Sequence, residues 1–165
     1  MSLKVAETRP VEEEALFNPA FLALLMRRAA EEHERRSGGR PLPTMLAYLV
    51  VPLALYGPTR RQLPSNVTTQ MGEWVRSHPD AAAGLGKQAR ALRPLVSAGL
   101  QLGLRYGLVA AEKGALRALS LPRRPRGVTR SAEVDECIDK AGFLGRWFSE
   151  QPDPLTTLAL WGLRP

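Results

Sequence analysis

"LRYGLVAAEKGALRAL", residues 104–119, is where the chain changes period. Before it, apolar residues recur every three or four positions, the signature of helices with one buried face. Here "LVAAE" and "ALRAL" flank a two-residue "KG" turn, the chemistry of a tight β-hairpin. Gly107, just ahead of it, is placed to cap the preceding helix in the left-handed region. The stretch therefore predicts a helix that stops at Gly107 and runs straight into a small hairpin.

Working back from the hairpin, residues 81–106 form a strongly amphipathic segment. Leu85, Ala89, Leu92, Val96, Gly99, Leu102 and Tyr106 fall on one side at 100° per residue. Lys87, Arg90, Arg93, Ser97, Gln101 and Arg105 fall on the other. Pro94 is expected to divide this segment or kink it. Pro79 suits the first turn of the helix that follows "SHPD". A shorter helix, capped by Ser65 or Asn66, is expected through Val75, and "GPTRRQLPS" before it reads as a basic loop. Residues 43–56 are apolar nearly all round and predict a buried helix. "SGGRPLP" reads as a breaker. "FNPAFLALLMRRAAEEHERR" predicts a helix with Asn18 as N-cap and Pro19 at its first position. Its tail carries Arg–Glu pairs at i,i+4 and reads as a solvated face, with His33 on the surface.

After the hairpin, "SLPRRPRGVTR", residues 120–130, reads as a mobile basic linker. Ser131 caps a long helix with Glu133, Asp135 and Glu136 near its positive end. Val134, Ile138, Ala141, Leu144 and Phe148 form its apolar stripe. Asp153 and Pro154 start a short final helix that Gly162 closes. The resulting plan is mainly α with a small β-hairpin. A flexible arm (1–15) precedes a winged-helix-like helical domain (16–119), a linker (120–130) and a C-terminal helical extension (131–165).

The 165 residues carry a net charge of +7, unevenly spread. Residues 38–107 hold eight basic and two acidic side chains, and residues 108–130 hold six and one. The ends are mildly acidic. A basic middle attracts polyanions or an acidic partner. In a winged helix, the third helix and the wing are the usual contacts with nucleic acid. The DNA-binding candidates are Arg60, Arg61, Lys87, Arg90, Arg93, Arg105, Lys113 and Arg117. Phe17, Phe143, Trp147 and Trp161 are the candidates for docking a partner, or for filling the chain's own core.

Chemistry-bearing motifs are absent. There is no P-loop, no Gly-rich dinucleotide turn, and two His with one Cys do not make a closed zinc site. A Cys137–His78 nucleophile pair lacks any local signature. No catalytic residue, cofactor or metal is expected, and the protein reads as not an enzyme. The single cysteine suits a reducing cytoplasm, and "MLAYLVVPLALYG" at 45–57 is too short to span a membrane.

Four stretches resemble the middle component of bacterial three-component ABC systems. They are "LFNPAFLALLM" (16–26), "LPTMLAYLVVPLALYGPTRRQLP" (42–64), "WVRSHPDAAAGLGKQARALRPLVSAGLQLGLRYGLV" (74–109) and "AGFLGRWFSEQPDPLTTLALWGLRP" (141–165). The resemblance implies a non-catalytic subunit bound to a coiled-coil ABC ATPase of SMC or Rad50 type. It also implies an effector subunit in Lamassu-type defence, and kinship with tandem winged-helix accessory subunits. The chain has room for one winged helix. The residues alone leave a second class open, a free winged-helix transcriptional regulator that binds DNA.

Overall fold

The computed structural model describes residues 16–122 and 130–164, so the arm and most of the basic linker lie outside the described residues. Helix α1 spans Pro19–Ser37, strand β1 Leu42–Pro43, α2 Thr44–Leu55, α3 Gly57–Gln62 and α4 Met71–Ser77. Helix α5 spans Pro79–Arg105, strands β2 and β3 Val109–Glu112 and Ala115–Ala118, α6 Ala132–Ser149, and α7 Pro154–Leu160. The chain is mainly helical with a small three-stranded antiparallel sheet.

Local chemistry sets most boundaries. The Asn18 side chain accepts from the Ala20 amide, Ser131 from Val134 and Asp153 from Thr156, each satisfying a donor the helix itself cannot. Gly107 takes φ 70°, and the Leu108 amide donates to the Gly103 carbonyl, closing α5. Lys113 (φ 48°) and Gly114 (φ 77°) form the hairpin turn, with positive φ at both central residues as a type I′ turn requires. The register pairs Ala111 with Leu116 and Glu112 with Ala115.

Four local expectations need correction. The breaker contains a strand: Leu42 and Pro43 pair with Leu116 and Ala115, giving the sheet order β1-β3-β2. The basic "loop" is helix α3, begun by Pro58 in its first turn. Asn66 does not cap α4; its side chain accepts from the Thr68 amide in a turn, and α4 starts at Met71. Finally, Pro94 does not divide the segment: α5 is one helix through it. That residue is exposed, so the carbonyl it leaves unpaired faces water.

The core is one cluster. Helix α2, buried along most of its length, sits inside it, and α1 packs against α2, α5, α6 and β3. The C-terminal helices share this core. Helix α6 lies along α1, where Gly142 and Gly145 bring the two backbones together. Its buried face is wider than the predicted stripe and includes Cys137, Phe143 and Trp147. This packing sets α7 beside α2 and leaves an open groove between them and α5.

Candidate functional site

The groove has a volume of about 1240 Å³. Its walls are the first turn of α2, the N-terminal half of α5 and residues 158–164. Small residues at Ala82, Ala83, Gly86 and Ala89 keep α5 thin there, so the floor is reached by Met45, Leu49, Leu160 and Leu163. Lys87, Arg90 and Arg93 stand along one wall and Arg164 on the other. The three on α5 are spaced i, i+3, i+6 and span about 9 Å of helix. Among the described residues no Asp or Glu lines the groove, and none of the four cations is ion-paired. Tyr48 also lines it, and the Tyr48 and Ser97 hydroxyls share a 2.7 Å hydrogen bond that ties α2 to α5. Trp161 also lines the groove; its indole N–H is buried with no acceptor among the described residues.

The predicted cations do not form one surface. Lys87, Arg90 and Arg93 share the groove. Arg105 lies about 18 Å further along α5, exposed, its guanidinium 5.7 Å from the Tyr106 ring centroid. Lys113 is exposed at the hairpin tip. Arg117 is taken up internally, by Glu112 at 2.7 Å, Glu34 at 3.3 Å and the Gly39 carbonyl at 3.2 Å. Arg61 is exposed, whereas its neighbour Arg60 is 1% exposed and is corrected as a surface contact. Arg60 donates to the Ala54 and Leu55 carbonyls at 3.0 Å, closing the end of α2, and pairs with Glu133 at 3.1 Å and Glu136 at 3.5 Å. It is an internal clamp between α2 and α6.

The aromatic docking candidates divide the same way. Phe143, Trp147 and Trp161 are buried and fill the chain's own core with Trp74, so none offers a free surface. Trp147 meets Trp74 edge-on at 5.9 Å and Trp161 at 6.4 Å, favoured geometries for aromatic pairs. The Trp147 indole N–H donates to the Thr69 carbonyl at 2.8 Å. Phe17 is 36% exposed and remains on the surface.

The charged tail of α1 is solvated only in part: Arg35 and Arg36 are exposed and the i,i+4 pairs Arg27–Glu31, Arg28–Glu32 and Glu31–Arg35 form, but Glu32 and His33 turn inward. Glu32 is buried and accepts from Arg28 and Arg35 on its own helix and from Arg146 on α6, at 2.9, 2.7 and 2.9 Å. His33 is buried too, and its Nδ1–H donates to the Arg40 carbonyl at 2.9 Å. Burial, the largest influence, pulls the imidazole pKa below its ordinary value. The one available signal is the Gly142 and Gly145 pair on α6, which lets α1 approach closely enough to cover these residues.

Cys137 and His78 have separate surroundings. Burial pushes the Cys137 thiol up to about 11, which keeps it protonated at neutral pH and so a poor nucleophile. His78 stacks on Trp74 with ring centroids 4.1 Å apart and hydrogen-bonds the Trp74 carbonyl at 2.8 Å.

Residues 6–165 match the family described as the ABC-three component (ABC-3C) system Middle Component 3, and the chain belongs to that family. No curated protein and no solved structure gives a significant match. No helix among the described residues is long and apolar enough to cross a membrane.

Proposed function

We propose that this middle component is a non-catalytic adaptor. It joins a coiled-coil ABC ATPase of SMC or Rad50 type to an effector, in a bacterial anti-phage or anti-plasmid defence complex in the cytoplasm. The observation that carries this reading is the family match across residues 6–165, which takes in the core and the groove alike. A subunit of this kind needs a surface shaped for a partner. The groove supplies one, with apolar floor and unpaired rim charges together. Co-expression with a coiled-coil ABC ATPase of the same system tests the reading. Co-elution on size exclusion at micromolar concentration is the expected result, and separate elution at that concentration would sink it.

A second reading, a free DNA-binding regulator, draws support from topology. The supporting observation is the order helix, strand, helix, further helices and hairpin, with β1 laid on β3, since a winged helix also follows its helices with a hairpin. Arg105 near the end of α5 and Lys113 at the hairpin tip suit contacts with phosphates rather than with base edges. Duplex affinity that falls steeply with salt, is indifferent to sequence and drops on Arg105→Glu/Lys113→Glu supports a DNA contact. A regulator would in addition bind its own site tightly in the absence of the ATPase.

A further inference from the structure

We propose that the groove between α2, α5 and residues 158–164 receives an acidic amphipathic helix from a partner protein. This rests on the adaptor reading and names the contact through which the adaptor works. Three observations select that occupant.

The first is charge. Lys87, Arg90, Arg93 and Arg164 line the groove, and among the described residues no carboxylate lines it and none of the four has an ionic partner. Elsewhere Arg28, Arg35, Arg60, Arg117 and Arg146 hold carboxylates, while Arg61, Arg76 and Arg105 stand singly at separate places; the groove gathers four such cations in one cleft. The rim therefore fits a ligand that brings negative charge of its own.

The second is the floor. Met45 is 39% exposed, and Leu160 and Leu163 line the same cleft. A nucleic-acid backbone gains nothing from an apolar floor beneath its phosphates. An acidic peptide with an apolar face fills the floor and meets the rim together.

The third is spacing. Cations at i, i+3 and i+6 on α5 sit about 4.5 Å apart along its axis. A helix laid alongside presents carboxylates at i, i+3 or i+4, and i+7 with nearly the same rise. A strand would need an open sheet edge, and no residue of the two edge strands, β1 and β2, lines the groove. Trp161, whose buried indole N–H has no acceptor among the described residues, lines the same groove.

The test uses the assembly purified with the ATPase and effector of the same system. A photo-crosslinking phenylalanine analogue replaces Met45, and mass spectrometry identifies the segment captured. An acidic segment of the ATPase or effector with apolar residues at helical spacing is the expected result. Capture of this chain's own residues 1–15, of a second copy, or of no segment within an intact assembly overturns the proposal.

Two variants complete the test. Met45→Arg and Lys87→Glu/Arg90→Glu should each weaken assembly at least tenfold while leaving the thermal midpoint of the isolated chain in place. If wild type assembles and both variants assemble equally well, the groove is wrong and the adaptor reading stands. If wild type fails to assemble, both fall. If assembly is untouched and the charge-reversed variant instead loses binding to a duplex DNA probe, the rim is a nucleic-acid contact and the peptide proposal is refuted.

Discussion

Gly145 of α6 lies so close to the backbone of Ala29 on α1 that a methyl group in its place would overlap the Ala29 carbonyl. The obstacle is main chain, which cannot rotate away as a side chain can. Gly145→Ala should therefore destabilise the protein by about 3 kcal/mol, the upper end for an overpacked core. Gly84, in the interior of α5, is different: a methyl group there would meet only the end of the Gln88 side chain, at 3.5 Å. Gly84→Ala should stabilise by up to about 1 kcal/mol through helix propensity. Urea denaturation compares the two, and equal shifts in midpoint would refute the close-packing account.

Arg60 and Arg61 are adjacent in sequence and should separate sharply by mutation. Arg60→Met leaves the Ala54 and Leu55 carbonyls without their donor. A loss of about 2–3 kcal/mol is expected, mainly from those buried bonds. Glu133 and Glu136 are each more than a third exposed, so their share is small. Arg61→Met should stay within about 0.5 kcal/mol of wild type, as exposed substitutions do. Thermal melts at matched pH and salt read both.

His33 gives the fold an acid-sensitive contact. Its folded pKa is lowered by burial, so below about pH 6.5 the unfolded chain binds a proton that the folded chain resists. Stability from this group is fully present above the unfolded value and declines as pH falls from there towards the depressed folded value. His33→Asn keeps a short side-chain N–H for the Arg40 carbonyl and removes the titration. The stability difference between wild type and variant should therefore change in the variant's favour as pH falls below about 6.5. A difference independent of pH in that window would contradict it.

The hairpin turn holds a lysine in a conformation that suits asparagine better. Lys113 has φ 48°, and side chains other than Asn, Asp and Gly adopt that region reluctantly. Lys113→Asn should raise stability by about 0.5–1 kcal/mol without changing the 112–115 register. Differential scanning calorimetry with amide shifts for Glu112 and Ala115 checks both statements.

What the sequence disclosed was local. Asn18, Ser131 and Asp153 cap helices within three residues of themselves, and the Lys113–Gly114 turn joins neighbouring strands. What it hid depends on residues far apart. Strand β1 is two residues long, and its partner Leu116 is remote from Leu42, so no period announces it. Glu32 and His33 look solvated until Arg146 and the glycines of α6 are laid over them. Arg60 and Arg61 read alike, and only the placement of α3 against α2 and α6 sends one inward. For the candidate site, Lys87, Arg90 and Arg93 are legible as one helical face. Their neighbours Met45, Leu163 and Arg164 come from two other parts of the chain.

The pairing of α1 with α6 also governs when the protein can finish folding. Gly145 leaves the ribosome more than a hundred residues after Ala29, the residue it must meet. Until then α1 has its contacts with α2, α5 and the sheet, but the flank around Ala29 and Glu32 lacks the helix that packs on it. The nascent chain thus carries an apolar and charged strip that α6 later covers, and completion of the core comes late in synthesis.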